Sequence, residues 1–494
     1  MKKYSRHSVF IYCFLFVLSW TTTSANSKVD TIINPQEEPI EKNKNNRPNI
    51  VFILADDLGT RDLACYGSDY YLTPNIDAFA AESLMFNKAY TASHVCSPTR
   101  ASMLTGCYPH RIRITDALPW DRLSENPKMI PPNHLKELPS SLPNFAKSLH
   151  SVGYRTALIG KWHLGNEHYF YAEEGHKEYG FDEAFHVSSG EKKRDKGVDE
   201  LTERSLDFIE TNKKQPFLLY LTHHTPHVPL ATTPEDKAIY DGVPKGRHQK
   251  NQVYAGMISH LDNSVQLILD KLDDLGLDKN TLVIFTSDNG GLRKITSNRP
   301  FRGNKGDVYE GGVRVPLLIR WPGHTKPGST FEEPVFSTDY FPTFLEMAGL
   351  DVDPKAHPDG KSRLAIWKGN YKGYESQTFF WHFPHRKNPA SSVIEGDWKL
   401  VYDINKDSYE LFDLKSDPYE KKDLSSKNHK ETKRLKLLLE QHLQDLDTQR
   451  MRPNPEWDSS KPEGKQKSYG KFERPEGGVF QPVKTPYPTW FKAQ

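Results

Sequence analysis

The chain has 494 residues, with 66 Lys and Arg against 64 Asp and Glu, a formal net charge of +2 and 36% hydrophobic residues. That length suffices for two or three domains, and the near-neutral balance gives no electrostatic reason to expect nucleic acid or a membrane surface as partner. Four cysteines in so long a chain exclude a disulfide-built scaffold.

Lys2, Lys3 and Arg6 precede an apolar run from Val9 to Trp20, and Thr23-Ser24-Ala25 supplies small residues for cleavage. Residues 1–25 therefore read as a signal peptide, which predicts export to the periplasm or the medium without a stable membrane anchor. Residues 26–47, rich in Asn, Lys, Glu and Pro, read as a flexible leader. The pattern changes at Pro48. Asn49 to Ala55 (NIVFILA) is a continuous apolar run, as expected of a strand buried on both faces of a parallel sheet. It ends in Asp56-Asp57-Leu58-Gly59. Adjacent carboxylates there repel each other, a cation would relieve that cost, and ligands of open α/β sheets bind at this edge. Thr73-Pro74-Asn75 opens a helix, and Leu84 to Thr91 reads as a strand.

In Val95-Cys96-Ser97-Pro98-Thr99-Arg100, Ser97 reads as a helix cap and Pro98 as the first helical residue. Cys96 then lies at a helix mouth, where unpaired N–H groups and the dipole favour negative charge. Arg100, one turn on, can aim its guanidinium back toward the same place. An anion pocket centred on a cysteine is the expectation; the alternative is a packed structural cysteine. Cys65 and Cys107 either pair or stay free.

Residues 109–142 are Pro-rich and irregular and read as an insertion lining one side of the site. A helix over 143–152 leads to strand Thr156 to Ile159, which runs into Gly160-Lys161-Trp162-His163. Lys161 and His163 share a side if the backbone stays extended. Phe217 to Leu221 is another buried strand, followed by His223, His224 and His227. Pro226 breaks any helical spacing and no further Cys or His cluster completes a zinc site, so His227 reads as an acid/base or anion contact. Met257, Leu261, Val265, Ile268, Leu272 and Leu275 mark one apolar helix face, stopped by Gly276. Strand Thr281 to Thr286 then delivers Ser287-Asp288-Asn289-Gly290. Asp56, Asp57, Asp288 and Asn289 together offer hard oxygen donors, which suit Ca²⁺, or less well Mg²⁺, rather than zinc. Lys305, in a Gly-rich basic loop, is a candidate anion contact. Leu317 to Ile319 reads as a strand and Asp339 to Leu350 as a helix.

Beyond residue 375 the alternating segments Thr378 to Trp381, Trp398 to Tyr402 and Tyr409 to Phe412 predict a small antiparallel sheet, with a helix from His429 to Gln449 packed on it. Trp381, His382, His385 and Arg386 lie at the junction and either contact substrate or pack the two parts together. The tail over 451–494 is either a surface strap or mobile.

Cys96-x-Pro98-x-Arg100 followed by Leu104-Thr105-Gly106 resembles the signature of type I sulfatases, in which the cysteine is oxidised to formylglycine; Cys107 stands where that pattern usually has arginine. With the strand-end motifs in order, the resemblance covers residues 48–450. It implies an α/β, alkaline-phosphatase-like fold: a large mixed sheet flanked by helices over 48–375, then a smaller C-terminal antiparallel subdomain over 376–450. It also implies a calcium ion held by Asp56, Asp57, Asp288, Asn289 and an oxygen of the modified residue 96, with Arg100 steadying both. Lys161, His163, His227 and Lys305 match the family's sulfate-binding and proton-transfer residues, and Asp288 is a proton acceptor. The implied substrate is a sulfated carbohydrate attacked from chain ends, with His382, His385 and Arg386 as candidate sugar contacts. A formylglycine-generating enzyme is the implied maturation partner. Two alternatives stand beside this reading: a phosphate or phosphonate ester hydrolase of the same superfamily, and a non-catalytic binder of sulfated glycan with Cys96 left as a thiol.

Overall fold

The structure is a computed structural model that describes residues 47–119, 121–172, 174–187, 194–355, 357–469, 471–473 and 481–483. The expected signal peptide and nearly all of the leader lie outside these residues. Eight of the apolar segments pair into one mixed sheet: β1 (Asn49–Ala55), β2 (Leu84–Phe86), β3 (Arg155–Gly160), β4 (Glu183–Phe185), β5 (Phe217–Thr222), β6 (Thr281–Ser287), β7 (Leu317–Arg320) and β8 (Ser329–Phe331). Their spatial order is β8-β2-β7-β6-β1-β5-β3-β4. β1 is central and parallel to both neighbours, with Ile50 opposite Leu218 and Val51 opposite Val283. β7 runs antiparallel to β6.

The unbroken apolar runs follow from burial on both faces. Ile50, Phe52 and Leu54 enter one core with Leu218, Tyr220, Leu282 and Ile284. Val51, Ile53 and Ala55 point the other way and join Leu219, Leu221, Val283 and Phe285. Helices cover each layer: α1 (Pro74–Ala81), α2 (Cys96–Thr105), α3 (Phe145–Ser151), α4 (Gln252–Asp274) and α5 (Tyr340–Met347). Ile258, Leu261, Val265, Ile268 and Leu272 of α4 close one face, and Phe145 of α3 with Phe344 of α5 close the other. Burying each such side chain is worth about 1.5–3 kcal/mol.

Three expected elements differ in detail. The segment from Leu84 to Thr91 splits: β2 joins the large sheet, whereas Ala89–Tyr90 pairs with Arg314–Val315 and Val335–Phe336 in a separate small sheet. The expected helix over 339–350 is one 3-10 turn, Ser337–Asp339, followed by α5, and it stops before Gly349, which takes φ 72°. Helix α2 begins at Cys96 itself, with Val95 at the cap position. Ser97 Oγ does not cap; it accepts the Leu118 N–H at 3.0 Å. Pro98 still falls in the first turn, where its missing N–H leaves no intrahelical bond unmade.

The C-terminal sheet has four antiparallel strands in chain order: β9 (Phe379–Phe383), β10 (Ala390–Glu395), β11 (Trp398–Asp403) and β12 (Ser408–Asp413). Leu435, Leu439 and Leu443 of α6 (His429–Asp445) pack into its core. That core also takes Tyr90, Val313 and Phe336, so no apolar gap separates it from the preceding chain. The described part of the tail is a strap: Arg452–Pro453 pairs with Met129–Ile130, and Lys467–Tyr469 with Asp121–Leu123. No disulfide joins the described residues; Cys65, Cys96 and Cys107 are all free.

Candidate active site

Four adjacent parallel strands, β6, β1, β5 and β3, release their chains at one edge of the sheet. In that order they deliver Asp288-Asn289, Asp56-Asp57, His223 to His227, and Lys161 to His163. Gly160 makes the last of these turns possible. It takes φ 120°, and a Cβ there would lie 1.9 Å from the Thr222 carbonyl oxygen. Asp57 and His163 also take left-handed backbone, at φ 68° and 56°. Such conformations cost free energy in non-glycine residues and persist where surrounding structure enforces them. The expected extended Lys161–His163 backbone is therefore not observed, yet both side chains line the same cavity.

Helix α2 brings Cys96 to these strand ends. Its Sγ lies 3.4 Å from Asp56 Oδ1 and 3.8 Å from Asp57 Oδ1, and Lys305 Nζ donates to it at 3.3 Å. Lys161 Nζ sits 2.6 Å from Asp56 Oδ2, and Lys305 Nζ 2.5 Å from Asp57 Oδ1. Arg100 Nε donates to Asp288 Oδ2 at 2.8 Å, while its Nη1 donates to the Lys161 carbonyl at 2.9 Å. Asp288 Oδ1 accepts the Asp57 N–H at 3.2 Å. Asn289 Nδ2 donates to Asp57 Oδ1 at 2.8 Å. Its own Oδ1 and Asp57 Oδ2 are buried without a hydrogen-bond partner.

The charges are strongly mutual. Burial pushes the Asp56 carboxyl up, but Lys161, His227, Arg100 and Lys305 outweigh it and hold it well below the usual range. Burial likewise raises the Cys96 thiol, and Lys161 and Lys305 pull it net below its ordinary value. Asp288 goes the other way: burial, then the nearby Cys96 and Asp56, raise it well above a normal carboxyl. His227 loses by burial and gains more from Asp56 and its contact with Cys96, so it is raised. Its Nδ1 faces the Val228 carbonyl and its Nε2 lies 3.6 Å from Asp57 Oδ2. His163 is pushed well below its ordinary value by burial and by Lys161. Its Nε2 lies 2.8 Å from the Leu118 carbonyl, which can only accept, so the proton sits on Nε2 and Nδ1 keeps its lone pair. That Nδ1 is buried and without a hydrogen-bond partner.

A divalent cation suits this donor set. Buried carboxylates of Asp56, Asp57 and Asp288, the orphaned Asn289 Oδ1 and the orphaned Asp57 Oδ2 are all hard oxygen donors. Asp56, Asp57, Cys96 and His227 already place one ligand atom each within 4.8 Å of the others.

The cavity over Cys96 holds about 320 Å³ and is lined by Lys161, His163, His227, Lys305 and Arg386, among the residues expected from sequence. It also takes Arg122, Leu118, Lys196 and His224. Arg122 and Leu118 come from the irregular insertion, where no periodicity marks a side chain for a site. His382 and His385 are not brought to the cavity. His382 Nδ1 bonds Ser391 Oγ at 2.7 Å and its Nε2 the Gln449 carbonyl at 3.0 Å, while His385 Nε2 bonds Thr115 Oγ1 at 2.7 Å. Trp381 is buried and donates Nε1–H to the Thr91 carbonyl at 2.7 Å. These three pack the junction, and only Arg386 of that group reaches the site. His223 is buried, held down to about 3 by burial and His260.

Comparisons with known proteins agree with this geometry. The family model described as Sulfatase matches residues 48–350, and one described as N-sulphoglucosamine sulphohydrolase, C-terminal, matches 304–449. The chain is similar to N-acetylgalactosamine-6-sulfatase of Rattus norvegicus, 33% identical over 357 residues, covering 64% of this chain and 65% of that protein. It is similar to a sulfatase of Formosa agariphila, 30% identical over 462 residues, covering 75% of this chain and 83% of that protein. Among solved structures it is similar to Ps i-CgsB in complex with k-i-k-neocarrahexaose, with 28% identity, a TM-score of 0.69, and coverage of 84% of this chain and 96% of the other.

Proposed function

The chain belongs to the sulfatase family, and from that premise we propose that it is an exported hydrolase of sulfate esters on carbohydrate, using a formylglycine made from Cys96 beside a bound calcium ion. The observation that carries this reading is the buried, helix-start Cys96 set 3.4 and 3.8 Å from two carboxylates, with Lys305 3.3 Å away. The relatives' names support a sugar sulfate: one acts on N-acetylgalactosamine-6-sulfate by its name, and another was solved with a neocarrahexaose. Export rests on the pattern of residues 1–25.

Oxidised and hydrated, residue 96 supplies an oxygen nucleophile whose second hydroxyl allows sulfate to be expelled. Asp56, Asp57, Asp288 and Asn289 would hold the calcium ion, which when bound would supply positive charge to the sulfate. The chain's own side chains do the rest. Lys161 and Lys305, buried and firmly cationic, bind and orient sulfate oxygens. Arg100 fixes Asp288 through Nε, and Asp288 takes the nucleophile's proton. His227, shifted toward its protonated form by Asp56, gives a proton to the departing alcohol oxygen. His163, neutral with its lone pair on Nδ1, takes up a proton when sulfate leaves.

The test is the peptide mass at residue 96 in protein co-produced with a maturation enzyme, followed by released sulfate from sulfated oligosaccharides. A loss of about 18 Da, thiol to aldehyde, with sulfate release is expected. An unmodified thiol with glycan binding alone would favour the binder, and turnover of phosphate esters supplied in parallel, with none of the sulfate esters, the phosphate-ester alternative.

A further inference from the structure

A second cavity, of about 220 Å³, opens beside the first, and the two share Arg122 and Arg386 in their walls. One part of its wall is the strap: Trp457 and Glu463 line it with Lys128 and Asn405, and Lys128 Nζ lies 5.8 Å from the centre of the Trp457 ring. Trp457 is 42% exposed, a high value for so large a ring in a folded chain. It is also firmly placed. Asn454 Nδ2 donates to the Pro127 carbonyl at 2.9 Å on one side, and on the other Asn126 Nδ2 donates to the Asp458 carbonyl at 2.8 Å. Asn126 Oδ1 accepts the Asp458 N–H at 3.0 Å, and Ser124 Oγ donates to Glu463 at 2.7 Å. A rigid, half-exposed aromatic face among amide and carboxylate groups suits a ligand with an apolar face and a hydroxyl rim, which is the chemistry of a sugar ring.

The shared wall adds a charge argument. Arg386 is paired with Asp116, with Nη2 2.6 Å from Oδ1. Arg122 makes no ion pair among the described residues; loss of solvent around its guanidinium and then the nearby Arg386 disfavour its charge, and Asp116 opposes both. An anionic group at this shared wall would offset the unpaired charge of Arg122 and suit its planar fork.

We propose that the strap cavity is a subsite for the sugar unit adjoining the sulfated one, with Trp457 as its stacking platform and Arg122 and Arg386 holding an anionic substituent at the junction. This deepens the sulfatase reading and rests on it. The enzyme then selects a charged oligosaccharide rather than any accessible sulfate ester.

The matured full chain is assayed on a sulfated tetrasaccharide with anionic neighbouring units and on 4-nitrophenyl sulfate, which reaches only the first cavity. Trp457→Ala is expected to lower the ratio of kcat/KM between the two substrates by about tenfold, mostly through KM. Trp457→Phe should restore most of it, which a merely structural loss of the strap would also have to explain by melting temperature. Arg122→Gln should cost more on a disaccharide whose second unit carries a carboxylate or sulfate than on one with a neutral second unit. A loss under carboxylate alone or sulfate alone identifies the anion. Equal effects on both substrates, or none, overturn the subsite while leaving the sulfatase reading intact. If neither substrate is hydrolysed, that reading fails by itself. The affinity of the tetrasaccharide for wild type against Trp457→Ala then decides the subsite.

Discussion

His227 and His163 line one cavity and are shifted in opposite directions, each for a visible cause. Asp56 and Cys96 favour the protonated form of His227, whereas burial and Lys161 favour the neutral form of His163. A proton donor matters most when the departing alcohol is a poor leaving group. Replacement His227→Ala is therefore expected to lower kcat by about 10²–10⁴ on a sugar sulfate and far less on 4-nitrophenyl sulfate; similar losses on both would remove the acid role. Backbone makes a second prediction at this scale. Gly160→Ala would push a methyl to within 1.9 Å of the Thr222 oxygen at a φ of 120°. It is expected to cost about 2 kcal/mol or more and to displace Lys161. Urea unfolding and KM for a sulfate ester both register that change. Most of these side chains are legible in sequence because each follows an apolar run at a strand end. Arg122 is not, since nothing periodic surrounds it. The histidines at 382 and 385 mislead for the opposite reason: a His-rich stretch looks like a site, but their rings turn to Ser391 and Thr115.

At the level of elements, the C-terminal sheet is tied to the loop that carries Lys305 by a buried ion triad. Lys399, on β11, lies 2.9 Å from Glu310 Oε1 and 2.8 Å from Glu420 Oε1, and all three are buried. The Glu310 N–H also reaches Glu420 Oε2 at 2.8 Å. Burial and Glu310 raise Glu420 to about 7, while Lys399 and Arg314, whose Nη1 lies 3.5 Å from Glu310 Oε2, keep Glu310 low. Removing the cation leaves two carboxyl groups facing each other out of water. Lys399→Met is expected to destabilise the protein by about 3–5 kcal/mol, whereas a triple replacement of the triad by apolar residues should recover much of that loss. Chemical denaturation of the single and triple variants checks it; equal stability of wild type and Lys399→Met would show the triad to be idle. The elements themselves read unevenly from sequence. β1 and β6 are plain because both faces are buried and, Asn49 apart, every residue is apolar or small. β10 (ASSVIE) escapes because Ser391 and Ser392 break the apolar pattern. The structure buries both, with Ser392 Oγ donating to the Leu400 carbonyl at 2.8 Å.

Across the whole molecule, buried neutral histidines outnumber those stabilised by charge. His94, His223, His385 and His442 are held near 3 and His382 near 4, chiefly by burial, and His110 and His163 lie well below the ordinary value. They occupy the α/β layers, the site and the packing of α6, where His110 Nε2 and His442 Nε2 stand 2.9 Å apart, so at least one of the two must be unprotonated. In the unfolded chain each would take a proton near pH 6.5. Because the folded values are depressed, their contribution to stability is complete above about pH 6.5 and is lost as pH falls from there toward 4, at about 1.4 kcal/mol per pH unit for each group. His260 opposes this: Asp195 and Asp236 raise it to about 10, so its contribution is present below pH 6.5 and lost only as pH rises toward that value. His227, also raised, acts with His260 above pH 6.5, while four raised carboxyls oppose the rings inside the acid window: Asp62 and Asp262 at about 6, Glu420 at about 7, and Asp288, pushed up chiefly by burial. The seven depressed rings outnumber those four, which sets the sign. The carboxylates held low, such as Asp56 and Asp195, the latter at about 2, act in a more acid window. Urea unfolding at pH 7.5, 6.5, 5.5 and 4.5 is therefore expected to show a flat upper range and a steep loss below about pH 6.5, with several protons taken up on unfolding. His442→Gln should make that acid slope shallower by about one proton, even if it lowers stability at pH 7.5. A slope unchanged by that substitution, or stability that rises on acidification, would mean that these rings are not held neutral by the fold.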